Sequence, residues 1–151
     1  MPMMDLMGRL LLAAVLGAAI GLEREYHQKP AGLRTNILIA LGSALFTTLS
    51  IVMAGNGGTP DRIGAQIVTG VGFLGGGAIL RSRTAVHGMT TAATIWVNAG
   101  IGMAVGARQF TVAIATTVVT LVVLAVLQPL EAYFERRSDS ASKNHRRTPD
   151  R

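Results

Sequence analysis

The sequence predicts an all-α integral membrane bundle of five transmembrane helices, with the N-terminus outside the cell and the C-terminus in the cytoplasm. Three observations predict it. First, half of the 151 residues are hydrophobic and only 15% are charged, where soluble domains run near a quarter charged; the mean hydropathy is +0.44. Second, five apolar runs reach the roughly 17–25 residues that carry a helix across a bilayer. Third, basic residues gather on one side of those runs, as the positive-inside rule requires.

The first run covers residues 6–22. It contains Arg9, which near a helix end is expected to snorkel to the headgroups. Asp5 and the lack of Lys or Arg before Arg9 make a poor basic leader, against a cleaved signal peptide. The second run is 36–54. The third, 63–80, is free of charge. The fourth, 91–107, and the fifth, 110–127, are separated only by Arg108 and its neighbours, which predicts a tight antiparallel hairpin. Arg24, Lys29, Arg34, Arg81, Arg83 and the tail place eleven basic residues on one side, against Arg9, Arg62 and Arg108 on the other. An odd number of spans requires the termini on opposite sides, so count and charge agree.

Two regions follow. Residues 1–135 form the transmembrane domain. Residues 136–151 form a basic cytoplasmic tail, expected to be disordered from residue 138. The formal charge is +6, but much of the excess lies in that tail. It therefore reads as a positive-inside flank rather than a nucleic-acid surface. Tyr133 and Phe134 suit an interfacial belt.

Eighteen glycines recur as small-xxx-small pairs: Gly17 with Gly21, Gly72 with Gly76, and Gly102 with Gly106. Four-residue spacing puts both members on one helix face, where backbones meet closely. The partner is a helix of the same chain or of another. The stretch Gly70-Val71-Gly72-Phe73-Leu74-Gly75 spells a dinucleotide fingerprint, but no Asp or Glu occurs between Asp61 and Glu131, so the match is rejected.

Chemistry concentrates in two places. Glu23-Arg24-Glu25 ends the first helix, where two carboxylates oppose the helix dipole. Arg24, Lys29 and Arg34 are the nearby cations, and Arg34 has the geometry to fork onto a carboxylate; an ion-paired clasp is expected. An ordinary solvated loop accounts for the same residues. The second place runs from Arg81 through Asn98, with His87, Thr90 and Thr91. Thr90 is expected to cap the fourth helix. Asn98, deep in that helix, must find a hydrogen-bond partner, as interhelical glue or as a functional group. There is no cysteine, hence no disulfide, thiolate metal site or cysteine nucleophile. His27, His87 and His145 lack metal-ligand spacing. No catalytic residue, metal site or cofactor is expected. No carboxylate lies deep in any span, which counts against a cation path through one chain.

Blocks of residues carry a resemblance. Gly21-Leu22-Glu23-Arg24-Glu25, then Lys29-Pro30-Ala31-Gly32-Leu33-Arg34-Thr35, resemble the signature of the MgtC/SapB bacterial membrane proteins. The block from Ala65 to Gly77, Arg81 in the following loop, and the block from Gly88 through Thr90 and Thr91 to Trp96 are similar to the same family. The likeness covers roughly residues 5–130, in order and with matching spacing. It implies an inner-membrane protein of about five spans with a role in growth under magnesium limitation and, in intracellular pathogens, survival in macrophages. It further implies a regulatory mechanism, restraint of the proton-driven ATP synthase through membrane contacts. Many members carry a soluble C-terminal domain, and this sequence reads as a short form without it.

Three functions stay open. The first is a non-enzymatic regulator of a membrane partner, itself a possible homo-oligomer, that does not bind nucleic acid. The second is a cation or proton transporter using Gln66, Thr69, Asn98 and the threonine cluster. The third is a lipid-binding scaffold using the tail.

Overall fold

The computed structural model describes the backbone of residues 2–55, 59, 61–82 and 85–145. Five helices follow one another: α1 (Met3–Tyr26), α2 (Leu33–Ala54), α3 (Asp61–Gly77), α4 (Met89–Gly106) and α5 (Phe110–His145). Between α3 and α4 lies a small antiparallel ribbon, β1 (Leu80–Arg81) and β2 (Val86–His87), pairing Leu80 with His87 and Arg81 with Val86. Arg83 lies outside the described residues.

Among the described residues, three segments are long and apolar enough to cross a membrane: α1, α2 and the Phe110–Leu127 part of α5. Among the five expected spans, α3 has only 17 residues, and α4 carries Thr90, Thr91, Thr94 and Asn98 on 18 residues. The helix α5 continues through residues 138–145, where the sequence reading expects disorder. Ala141 and Lys143 there are strong helix formers. Residues 146–151 lie outside the described residues.

Local chemistry ends the helices. After α1 the chain turns at Gln28 (φ 52°), and Lys29 N–H donates to the Arg24 carbonyl at 2.9 Å. After α4, Arg108 (φ 64°) takes the same left-handed role, and Gln109 N–H donates to Ala104 O at 2.8 Å. Both are the six-to-one bond of a Schellman turn. Residues 107–109 alone connect α4 to α5, the tight hairpin the sequence requires.

The glycine pairs of α1 and α4 clamp α2 from two sides. A Cβ at Gly17 would lie 2.7 Å from Asn36 O, and one at Gly21 2.7 Å from Leu33 Cα. A Cβ at Gly102 would lie 2.3 Å from Ala40 O, and one at Gly106 2.6 Å from Ala44 O. Only backbone without side chains allows such approach. The contact order makes α1 antiparallel and α4 parallel to α2, so consecutive helices alternate in direction.

The third pair departs from expectation. A Cβ at Gly72 or Gly76 would meet nothing within 4 Å. The inner stripe of α3 is Ile67, Val71 and Gly75, at four-residue steps, with Gly75 seated over Ala92. Gly72 and Gly76 follow one residue behind that stripe, about 100° round the helix, and so face outward.

Polarity is inverted relative to a soluble protein. Asn36, Asn98, Thr48 and Ser43 are buried, while Leu11, Val15, Leu38, Phe46, Val119 and Val126 are exposed. Apolar exteriors with hydrogen-bonded polar interiors suit a hydrocarbon solvent.

Candidate functional site

The Glu23–Glu25 cluster is held by the ends of three helices, though not as the sequence suggests. Glu25 reaches across the loop, and its Oε2 accepts from Leu33 N–H at 3.1 Å. The carboxylate thus caps the N-terminus of α2, where a negative charge is favoured. It lies directly over Gly32, where a Cβ would collide with Oε2, so a side chain at Gly32 would displace the cap.

Glu23 turns to His27, whose Nδ1 lies 3.1 Å from Oε1 and 2.9 Å from the Glu23 carbonyl. Both carboxylate oxygens of Glu23 are buried without a hydrogen-bond partner in the protein. Arg24 turns inward, is 3% exposed, and donates from Nη2 to Thr91 Oγ1 at 3.1 Å. That bond ties the end of α1 to the start of α4.

The expected clasp is therefore corrected. Arg34 is exposed, and among the described residues the arginine–carboxylate ion pairs are Arg9–Asp5 and Arg108–Asp5, neither of them in this cluster. The dipole of α2, rather than an arginine fork, offsets the charge of Glu25. A carboxylate eight residues before a helix start was the available signal.

Asn98 finds its partner in α2. Its Nδ2 donates to Asn36 O at 2.7 Å and to Asn36 Oδ1 at 3.1 Å. Asn36 in turn donates to Ala31 O and to Gly32 O. This chain of amides joins α4, α2 and the α1–α2 loop beside the glycine contacts.

At the opposite end, Arg9 does not snorkel outward. It is buried, donates to Gly106 O at 2.9 Å, and pairs with Asp5 at 2.5 Å. The carbonyl at the end of α4 is an orphan acceptor, and a cation suits the negative pole there. Thr48 adds a second donor to the same carbonyl at 3.3 Å.

The remaining expected residues divide. Thr90 does not cap α4. Gly88 occupies the N-cap with φ 89° and no side-chain capping bond, and its backbone passes so close to Ala78 O that no Cβ fits. The Thr90 carbonyl accepts from Thr94 Oγ1 at 2.7 Å. Arg81 and Thr35 are exposed. Trp96 is half exposed and borders an apolar groove of about 310 Å³ with Val68, Val71 and Met103. Gln66 and Thr69 are exposed on α3, and Thr69 bonds back to Ala65 O; they do not converge with Asn98. Among the described residues no group of three His, Cys, Asp or Glu side chains is placed to hold a metal ion.

Sequence comparison completes the picture. The model of the MgtC family matches residues 10–133. The chain belongs to the MgtC family. It is 50% identical to protein MgtC of Salmonella typhimurium over 112 residues, covering 74% of this chain and 48% of that protein. It is 47% identical over 129 residues to YhiD of Escherichia coli strain K12, named there as a candidate magnesium transporter, covering 81% of this chain and 60% of that one. An uncharacterised protein of a Synechocystis strain is 43% identical over 129 residues, 85% of this chain and 55% of that protein. The chain thus spans about half the length of these relatives. No solved structure matches it. The family match encloses the Glu23–Glu25 and Asn36–Asn98 clusters and both clamping glycine pairs, while Asp5 and Arg9 lie just before it.

Proposed function

We propose that this MgtC-family chain is a non-enzymatic, multi-pass inner-membrane regulator that docks a membrane partner, the proton-driven ATP synthase being the candidate, during growth under magnesium limitation or related stress. The observation that carries the reading is the outer face of α3. Gly72 and Gly76 there have open space above them, and Phe73 between them is 84% exposed. The pairs in α1 and α4 are already consumed by α2. In a bilayer an open small-residue face beside a large aromatic side chain is suited to receive another helix.

The same reading takes all five helices as spans, N-terminus outside and C-terminus in the cytoplasm. The alternating helix directions and the basic asymmetry support it. At 1.5 Å per residue, α3 covers about 25 Å, close to the hydrocarbon thickness.

A cation transporter is the second reading, favoured by the name of the Escherichia coli relative. The dispersal of Gln66, Thr69 and Asn98 argues against it. The test is complementation of growth at low magnesium with Gly72→Leu and Gly76→Leu. The docking reading expects growth to fail while abundance and thermal stability match wild type. Full complementation by both variants would remove it.

A further inference from the structure

A cavity of about 520 Å³ opens where the α1–α2 loop, the start of α4 and the middle of α5 meet. Its size falls within the range of ligand sites. One wall is basic, from Arg24, Lys29 and His87; the facing wall is apolar, from Val123, Leu124 and Leu127 of α5. Among the described residues no carboxylate lines it.

Two independent features point into this space. The first is the N-terminus of α4, an 18-residue helix whose N-cap, Gly88, supplies no side chain. Gly88, Met89, Thr90 and Thr91 all line the cavity. Ala92 N–H is the first to close on a helix carbonyl, that of Gly88. The N–H groups before it have no place in the helix ladder, and with the helix dipole they favour an anion. The second is Arg24, which lines the cavity while only 3% exposed and whose guanidinium makes a single described hydrogen bond, from Nη2 to the neutral Thr91 hydroxyl. The charge of Glu23 acts on Arg24 and partly offsets the cost of its burial, but the Glu23 carboxylate is turned to His27 and is not within ion-pair distance of the guanidinium. A buried guanidinium that donates to a neutral hydroxyl and has no carboxylate within ion-pair distance is suited to an anion. Thr91 Oγ1 accepts from Arg24 and retains its own proton to donate.

We propose that this cavity binds a phosphate-bearing anion, its phosphate on Arg24, Lys29 and the N-terminus of α4. A lipid headgroup and a soluble phosphate share that chemistry. The apolar α5 wall matches the acyl end of an anionic phospholipid, which would tie the α1–α2 loop to α5 at the membrane surface.

The test uses the full chain purified in nonionic detergent and read by native mass spectrometry. Short-chain phosphatidylglycerol, phosphatidylcholine of the same chain length and inorganic phosphate are titrated separately. One phosphatidylglycerol per chain is expected, with phosphatidylcholine bound far more weakly. Lys29→Gln, at an exposed position, should weaken binding about fivefold, the effect of one basic residue near an anionic surface. Arg146→Gln with Arg147→Gln should leave it unchanged. Inorganic phosphate binding as tightly as the lipid supports the anion site and assigns its source to soluble phosphate. Equal binding of phosphatidylcholine, an unchanged affinity in Lys29→Gln, or loss of binding in the tail variant would each overturn the proposal.

Discussion

Replacing Gly102 with alanine separates the packing account from any reading based on glycine count. The new Cβ would lie 2.3 Å from Ala40 O and 2.9 Å from Ser43 Cβ. Ordinary contact begins near 3.4 Å, so α4 must move about 1 Å away from α2. Overpacking of this kind costs about 1–3 kcal/mol. The same movement stretches the 2.7 Å bond from Asn98 to Asn36 O, worth about 1 kcal/mol. Alanine returns about 1 kcal/mol of helix propensity. The net expectation is a loss of about 1–3 kcal/mol. Gly72→Ala gains the same propensity with no collision, so it should equal wild type or exceed it by at most about 1 kcal/mol. Reversible unfolding in mixed micelles, followed by circular dichroism, measures both. Equal stabilities for Gly102→Ala and Gly72→Ala, or a larger loss for Gly72→Ala, would refute the assignment of inner and outer glycine faces.

Three further outcomes follow from the polar clusters. Asn98→Leu leaves the Asn36 carbonyl without its buried donor and should cost about 1–3 kcal/mol in the same unfolding measurement. Arg24→Ala removes the charged bond to Thr91 and should cost about 1.5–3 kcal/mol, whereas Arg34→Ala, at an exposed position, should stay within about 0.5 kcal/mol of wild type. Arg9→Ala withdraws a buried donor from Gly106 O and should cost about 1–3 kcal/mol; an unchanged melting curve would return Arg9 to the headgroups.

Much of the helix order was legible because it depends on local chemistry. The single cation between two apolar runs forces the α4–α5 hairpin, and Asn98 in an apolar helix demands a partner. The small-residue pairs of α1 and α4 identified their contact faces. The same spacing misled in α3, because Gly75 completes the inner stripe and turns Gly72 and Gly76 outward. Spacing fixes which residues share a face but not which face finds a neighbour. The acidic end of α1 was recognised as needing compensation. Its source in the N-terminus of α2 depends on the path of the intervening loop, set by the left-handed residues Gln28 and Ala31. Neither Gln nor Ala announces that conformation. Arg9 was misplaced for a related reason: the carbonyl it meets is 97 residues away. The cavity beside Arg24 likewise joins segments a hundred residues apart, and no local pattern forecasts it.

The proposed function has this MgtC-family chain docking in the membrane rather than carrying magnesium. The most direct test is magnesium flux into proteoliposomes holding the folded full chain, measured beside empty vesicles. The account predicts equal uptake in both. Saturable uptake in the protein-bearing vesicles alone would contradict it and make the chain a transporter.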